Sequence, residues 1–517
     1  MAVTINGTTG ITTPGDSVTG TTLGSLTTSG DATINTVRVG LGAGAVSSNL
    51  AVGATALNAN TTGANNTAIG YQALFSNTTG LQNLAIGSQT LFNNTIGINN
   101  TAFGASVLLF NVSGSGNTAI GTNSLYNNVS GNFNTAVGFA SLQNNTASNL
   151  TAVGYQALYN NTTGTLNVAV GYQALYGNTS GQYNVAFGAG ALQSNATGTN
   201  NVGVGAYASS GNTTGSYNLS FGTNALSYNQ TGNENVALGY GSAGFSNGAA
   251  ASFSGVVAVG STALTKNTAS NLTAVGYQAL YSNTTGVENV AVGYQSLNSN
   301  TIGLGNTACG YLAALNSQTG SYNTAIGRGA LQGSAANTTG SSNTAVGYYA
   351  LYNITTGGNN TTLGYNAGLS ITSGSNLIVI GQSAAASSAT ATNECTIGTS
   401  ATTSYRIYAA SWTNASDARD KKDIRDIDAG LDFISHLRPR YYTWEMRDGS
   451  RSGVKDIGFV AQELKAAQEE AGITIPRLVV EDDPNQLMIS PSLLIPVLVN
   501  AIKELSAQVE ELKKKVN

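Results

Sequence analysis

The sequence predicts a mainly β solenoid, or β-roll, of 17-residue repeats, read as trimeric. A small α+β domain ending in a coiled-coil helix follows it. Three observations predict this. A glycine recurs at a fixed interval, the residues ahead of it alternate as a strand does, and charge is nearly absent until about residue 405.

The repeat comes first. Its anchors run from Gly53, Gly70 and Gly87 through to Gly381 and Gly398, 21 in all, and 16 of the 20 intervals equal 17. A fixed period of this size marks a solenoid or array. The residue before the anchor is apolar in all 21 units, as at Ile69, Phe103, Val137, Cys309 and Ile380. The one before that is small, usually Ala: Ala68, Ala102, Ala136, Ala325. Such alternation is a strand signal. Asn lies four before the anchor in 16 units, and Leu dominates four after it. The unit is too short for a strand–helix–strand crossover and fits one coil. Stacked Asn side chains are expected to bond up and down the stack. The small Ala column predicts close packing against another chain, hence a homotrimer.

Composition fits this picture and excludes others. Gly makes up 65 of the 517 residues but Pro only 6, which rules out collagen. The chain is 41% hydrophobic with a net charge of -4, which argues against disorder. Residues 1–404 hold eight charged side chains: Asp16, Asp31, Arg38, Glu234, Lys266, Glu288, Arg328 and Glu394. A charge repeated in a stacked column would repel its neighbours about 4.8 Å away, whereas Asn, Thr and Ser stack without that cost. Two cysteines make no disulfide framework, and Cys309 reads as a buried small hydrophobe. Residues 1–30 show no secretory signal. No run of 18 apolar residues predicts a membrane span, and overall acidity argues against nucleic-acid binding. The array has no His and too few carboxylates for an acid–base pair. No metal cluster and no cofactor motif is expected anywhere. The Asn-x-Thr sequons read as turn and ladder residues. The tyrosines after the anchors (Tyr71, Tyr155, Tyr172, Tyr277, Tyr294, Tyr348) read either as a stacked structural surface or as a sugar-binding stripe.

Boundaries follow from the charge. Residues 1–40 form an N-terminal attachment or cap segment, 41–404 the shaft, 405–415 a linker and 416–517 the terminal domain, with a coiled coil at about 494–516. Within that domain Asp428 is expected to cap a helix near 429–437. Tyr441 to Trp444 reads as a strand and Asp448-Gly449 as a turn. Residues 461–471 read as a helix ended by Gly472. Leu478–Val480 and Leu487–Ile489 read as short strands around residues 482–485. Leu498, Ile502, Leu505, Val509, Leu512 and Val516 are spaced 4, 3, 4, 3, 4 and form a heptad seam. The same pattern also suits an amphipathic helix docked on its own domain. His436, the one histidine, reads as structural.

Three motifs carry a resemblance. Ser416-Asp417-Ala418-Arg419-Asp420-Lys421-Lys422-Asp423-Ile424 resembles the opening of the intramolecular chaperone domain of phage tail spikes and fibres, peptidase family S74. Gly458-Phe459-Val460-Ala461-Gln462-Glu463-Leu464 resembles its central motif, and Ala501-Ile502-Lys503-Glu504-Leu505 its closing helix. Ile489-Ser490-Pro491-Ser492 departs from the Tyr-containing segment of many members. The repeat unit itself resembles the head repeats of trimeric autotransporter adhesins.

The family resemblance implies that the domain trimerises, assists folding of the preceding fibre and then cuts itself off. Cleavage would fall between Ala415 and Ser416, with Ser416 as nucleophile and Lys421 as its general base. A Ser hydroxyl needs a base within hydrogen-bond reach, and Lys serves only when neutral, through burial or nearby cations such as Arg419, Lys422 and Arg425. Five residues along an α-helix lie about 140° apart, so Ser416 is expected in an extended or turn segment ahead of any helix. The implied protein is a virion tail fibre made in the host cytoplasm. Its partners would be two further copies, a tail or baseplate protein at the N-terminal end, and a bacterial surface glycan or protein receptor. The alternative is a secreted repeat adhesin or ice-binding solenoid with a non-cleaving trimerisation tail.

Overall fold

The structure is a computed structural model that describes residues 32–34, 37–244, 251–334, 338–402, 416–446, 452–483 and 486–516. Most of segment 1–40, the linker 405–415 with Ala415, and the expected Asp448-Gly449 turn lie outside them. The chain forms two compact units, Met1–Thr199 and Asn200–Asn517.

In the first unit each coil contributes one three-residue strand, from Leu50–Val52 to Val185–Phe187. The strands pair in parallel and in register, one period apart, as Ala68 with Ala85 and Ala102 with Ala119. Ahead of them Ala32–Ile34 and Val37–Gly40 form an antiparallel hairpin. Its second strand pairs antiparallel with the first coil, Val39 opposite Val52. In the second unit a stack of the same kind runs from Val202–Val204 to Cys395–Ile397.

Backbone bonding between coils continues beyond the strands. Gly70 N–H donates to Val52 O at 2.8 Å and Leu74 N–H to Thr90 O at 2.9 Å. The anchor glycine is needed twice over. Gly70 has φ 137, and a Cβ there would sit 2.3 Å from Gly87 O of the next coil. Three further positions in a typical coil use left-handed backbone without glycine, as at Gln72 (φ 57), Leu74 (φ 50) and Gln82 (φ 58). Each costs roughly 1 kcal/mol, offset by the bonds the neighbouring coils make.

In most coils the core is the Ala at the centre of the strand against the residue three after the anchor and the Leu four after it. Ala68 and Leu74 are completely buried, as are Ala274 and Leu280. The expected role of the Ala column is therefore corrected. It does not face another chain; it fills the coil's own interior, where a small side chain, usually the alanine methyl, packs against Leu. The two flanking strand residues point outward instead. Phe103 and Phe187 are more than half exposed. Cys309 stands in this outward column and is exposed, not buried as expected.

Buried asparagines form two ladders. In the first, four before the anchor, Asn66 Oδ1 accepts the Asn83 N–H at 3.0 Å, and Asn66 Nδ2 donates to Gly80 O at 2.8 Å. The second lies seven after the anchor. There Asn77 Nδ2 donates to Asn60 Oδ1 at 2.8 Å and to Gly80 O at 3.1 Å. A buried amide left unpaired costs about 1–3 kcal/mol, so each rung depends on the next. Glu394 takes the Asn position in the last coil of the first ladder. Its carboxylate accepts from Ser387 Oγ and Thr396 Oγ, both at 2.7 Å.

The second ladder breaks where Ser317 follows Asn300, leaving Asn300 Oδ1 without a donor among the described residues. Replacing Ser317 by Asn restores the rung. We expect Ser317→Asn to raise stability by about 1 kcal/mol, seen as a higher denaturation midpoint, and an unchanged or lower midpoint would contradict the ladder.

Among the described residues the terminal domain of the second unit has three α-helices: α1 (Leu431–His436), α2 (Ala461–Glu470) and α3 (Leu494–Val516). Two antiparallel hairpins join them, Arg440–Glu445 with Ser452–Gly458 and Val479–Asp483 with Gln486–Ile489. The three helices and the strands Arg440–Glu445, Val479–Asp483 and Gln486–Ile489 lie where the sequence placed elements, whereas the strand Ser452–Gly458 was not expected. Its small core is Ala429, Phe433, Ala467, Leu478, Leu494 and Val497.

Candidate functional site: the Ser416–Lys421 segment

The segment 416–430 contains no α-helix. Ser416 lies in no helix or strand, the extended Asp417 caps a single 3-10 turn at Ala418–Asp420, and the chain then runs irregularly to α1, with a left-handed residue at Asp423 (φ 57). The Asp417 carboxylate accepts the Arg419 N–H at 2.8 Å and the Arg419 Nε–H at 3.0 Å. The turn folds the chain back, so that Lys421 Nζ donates to Ser416 Oγ at 2.6 Å. A continuous helix would have separated the two groups.

Ser416 and Lys421 are both exposed. One chain therefore supplies little of the desolvation that a neutral lysine requires. Of the expected cationic neighbours, Arg419 is committed to Asp417, while Lys422 and Arg425 are exposed. The hydrogen bonds from the Arg419 side chain and N–H hold the Asp417 carboxyl below its usual range.

The central motif joins elements. Gly458 ends its strand beside Tyr442, with room for little more: an added Cβ would lie 3.1 Å from the phenol oxygen. Val460 precedes α2, whose Leu464 is buried. Glu463 accepts from Arg440 Nε at 3.0 Å and Nη2 at 2.8 Å, tying α2 to the first hairpin. His436 Nδ1 lies 2.9 Å from Asp432 O in its own helix.

Helix α3 carries two stripes. Leu494, Val497 and Ala501 are buried on their own domain, with Leu494 and Val497 in its core. The heptad seam from Leu498 through Ile502 and Leu505 to Val516 stays exposed. By length and mean hydropathy, 1.3 over an 18-residue window, the segment Pro491–Val516 is also apolar enough to cross a membrane. Lys503 and Glu504 stand in the middle of it, and charge there is costly in a bilayer; a heptad seam needs only a partner helix.

Two further features concern the site. The sequence reading put Asp428 at the cap of the first helix. The structure instead places Gly430 at that position, with no side-chain cap bond of its own. The first N–H of α1, that of Leu431, donates to Glu504 on α3 at 2.7 Å. In the array, the tyrosines after the anchors stack on one another: Tyr155–Tyr172 centroids are 5.3 Å apart and Tyr294–Tyr311 5.1 Å. Where neighbours are stacked, ring faces are covered and mainly edges and hydroxyls are offered. Arg328 takes the tyrosine position in one coil and lies over both Tyr311 and Tyr348. Among the described residues no group of His, Cys, Asp and Glu could hold a metal ion.

Comparison with known proteins places this segment. The family model for peptidase S74, described as chaperone of endosialidase, matches residues 416–473. It begins at Ser416 and takes in Lys421 and the central motif. No curated protein and no solved structure matches the chain.

The Asp417–Arg419 contact has a pH signature. A carboxyl held low contributes its contact above the ordinary value near 4 and loses it as pH falls through the lowered one. We expect the Asp417 carboxyl to titrate, by carbon NMR, at a lower pH in the unaltered protein than in Arg419→Ala, and equal midpoints in the two proteins would contradict the contact.

Proposed function

We propose that this chain is a trimeric fibre subunit of a phage tail, whose C-terminal S74-type segment assists assembly and then releases itself at Ala415–Ser416. The family match implies autoproteolytic processing at a coarse level. The finer reading rests on one observation, the 2.6 Å approach of Lys421 Nζ to Ser416 Oγ at the first residue of the matched segment.

In this reading neutral Lys421 takes the hydroxyl proton as Ser416 Oγ adds to the Ala415 carbonyl carbon. The peptide C–N bond breaks as the Ser416 nitrogen leaves as an amine. The resulting ester is then hydrolysed by water, giving the Ala415 carboxylate and a free Ser416 hydroxyl. Because both groups are exposed in one chain, covering by a second copy would desolvate the lysine and tie cleavage to assembly.

Trimerisation is supported by two uncovered surfaces. One is the heptad seam of α3. The other is the outward strand face of the array. Its two columns hold only Thr, Val, Leu, Ile, Phe and Cys, while the charges of residues 41–404 lie in other columns. Each coil offers about 45 Å² of that face, so the coils together offer roughly 1,000 Å² per chain, which a trimer divides between two neighbours. A second copy has the same rise and matches it column for column. Attachment through the N-terminal end, adhesion to a bacterial surface glycan or protein, and residence in the virion complete the proposal by analogy with fibres.

The test is gel electrophoresis with mass spectrometry of the purified protein. Fragments 1–415 and 416–517 are expected, with Ser416→Ala full length and Lys421→Ala slowed by at least about 10²-fold. An intact wild-type chain would end the cleavage reading. Separately, Leu505→Asp with Leu512→Asp should abolish the trimer in sedimentation, and a trimer that survives would remove the seam from the account.

A further inference from the structure

The segment 416–430 is held by few groups. Within itself it has the Ser416–Lys421, Asp417–Arg419 and Ala418–Lys421 bonds. Ala429, at its end, is buried in the domain core. Among the described residues, its side-chain-mediated hydrogen bonds to the rest of the domain come from one side chain on α3. Asn500 Nδ2 donates to Ala429 O at 3.1 Å and to Ile427 O at 3.4 Å. The same amide donates to Glu504 Oε1 at 3.0 Å, and Glu504 Oε2 accepts the N–H of Leu431, the next residue after the segment. Gly430 admits this approach: a Cβ there would lie 2.0 Å from Glu504 Oε1.

Asn500 and Glu504 are one helical turn apart and share a face. Their neighbours Leu498, Ile502 and Leu505 belong to the exposed seam. The clamp therefore sits on the same two turns of α3 that a partner helix would cover. We infer that Asn500 and Glu504 are positioning residues for the self-cleavage, gripping the base of the reactive segment so that the register of the assembled helix sets where Ser416 and Lys421 lie. This inference rests on the cleavage reading above.

The chemistry of the clamp sets its requirements. Both partners of Glu504 present donors, so both its oxygens must accept. Glutamine keeps one acceptor and turns an NH₂ toward a donor; alanine keeps neither. Aspartate at position 500 cannot donate to the Ile427 and Ala429 carbonyls. Loss of alignment on the scale of an ångström costs about 10²-fold in rate.

The experiment uses the full chain. Cleavage rate constants are measured at equal trimer fraction for wild type, Glu504→Ala, Glu504→Gln, Asn500→Ala and Asn500→Asp. Amide exchange at Leu431 is measured in the uncleavable Ser416→Ala background with and without Glu504→Ala. We expect the Ala variants to slow cleavage by about 10²-fold and Glu504→Gln to fall between them and wild type, with exchange at Leu431 accelerated and that of the seam unchanged. Wild-type rates in Glu504→Ala and Asn500→Ala would overturn the inference. So would loss of the trimer in every variant, which would make the clamp a folding element. A wild-type chain that does not cleave removes the cleavage reading instead. Exchange at Leu431 then still decides the clamp, and unchanged exchange in Glu504→Ala overturns it.

Discussion

The structure of the array depends on a single constraint: its buried asparagines need partners, within their own coil and in the next. Asn66 depends on Asn83 and Gly80, and Asn77 on Asn60 and Gly80. The backbone does the same, coil to coil, through Gly70 and Leu74. A thin coil buries little more than two alanines and a leucine of its own, such as Ala68, Ala73 and Leu74, so its apolar core is modest. The ladders make up the rest by turning unavoidable buried amides into paired ones. Absence of charge, glycine at the tight approach and neutral hydroxyl or amide residues in the turns all follow from keeping identical positions in contact.

The same economy sets what one copy leaves uncovered. The interior accepts the alanine methyl and turns the larger strand residues outward, where Phe103, Phe187 and Phe221 are more than half exposed. Helix α3 repeats the pattern on a different scale, giving Leu494 and Val497 to its own domain and leaving Leu498 to Val516 bare. The reactive pair is bare as well. Fibre face, helix seam and dyad are thus three incomplete surfaces on one chain, and the trimeric proposal is attractive because one event would cover all three.

Much of this was legible in the sequence, and the failures have physical causes. The period, the strand and the first Asn column show because a stack repeats its constraints at every coil. The direction of the strand did not show. Alternation separates two faces without saying which one is inside, and hydrophobicity favoured the larger side chains for the interior. In a coil this narrow, size decides and alanine goes in. Left-handed residues such as Leu74 were invisible because nothing in a leucine signals positive φ; the neighbouring coils impose it. The second Asn ladder was hidden among other turn asparagines and threonines. In the terminal domain most elements were readable from local pattern, though not the strand Ser452–Gly458, and the non-helical setting of Ser416 followed from the Ser–Lys pair that the resemblance implies together with helix geometry. The cap of α1 was not readable: Asp428 satisfied the local rule, while the true acceptor, Glu504, lies 73 residues away from Leu431.

The hairpin Ala32–Gly40 has one more consequence. A stack of parallel strands presents an open row of amides at its first coil, the kind of edge on which amyloid grows. Here that row is met by an antiparallel strand, Val39 against Val52. A further parallel rung has nothing to copy there. The hairpin gives a repetitive, nearly uncharged sequence a defined first rung, and at that end it separates a subunit of fixed length from an open-ended fibril.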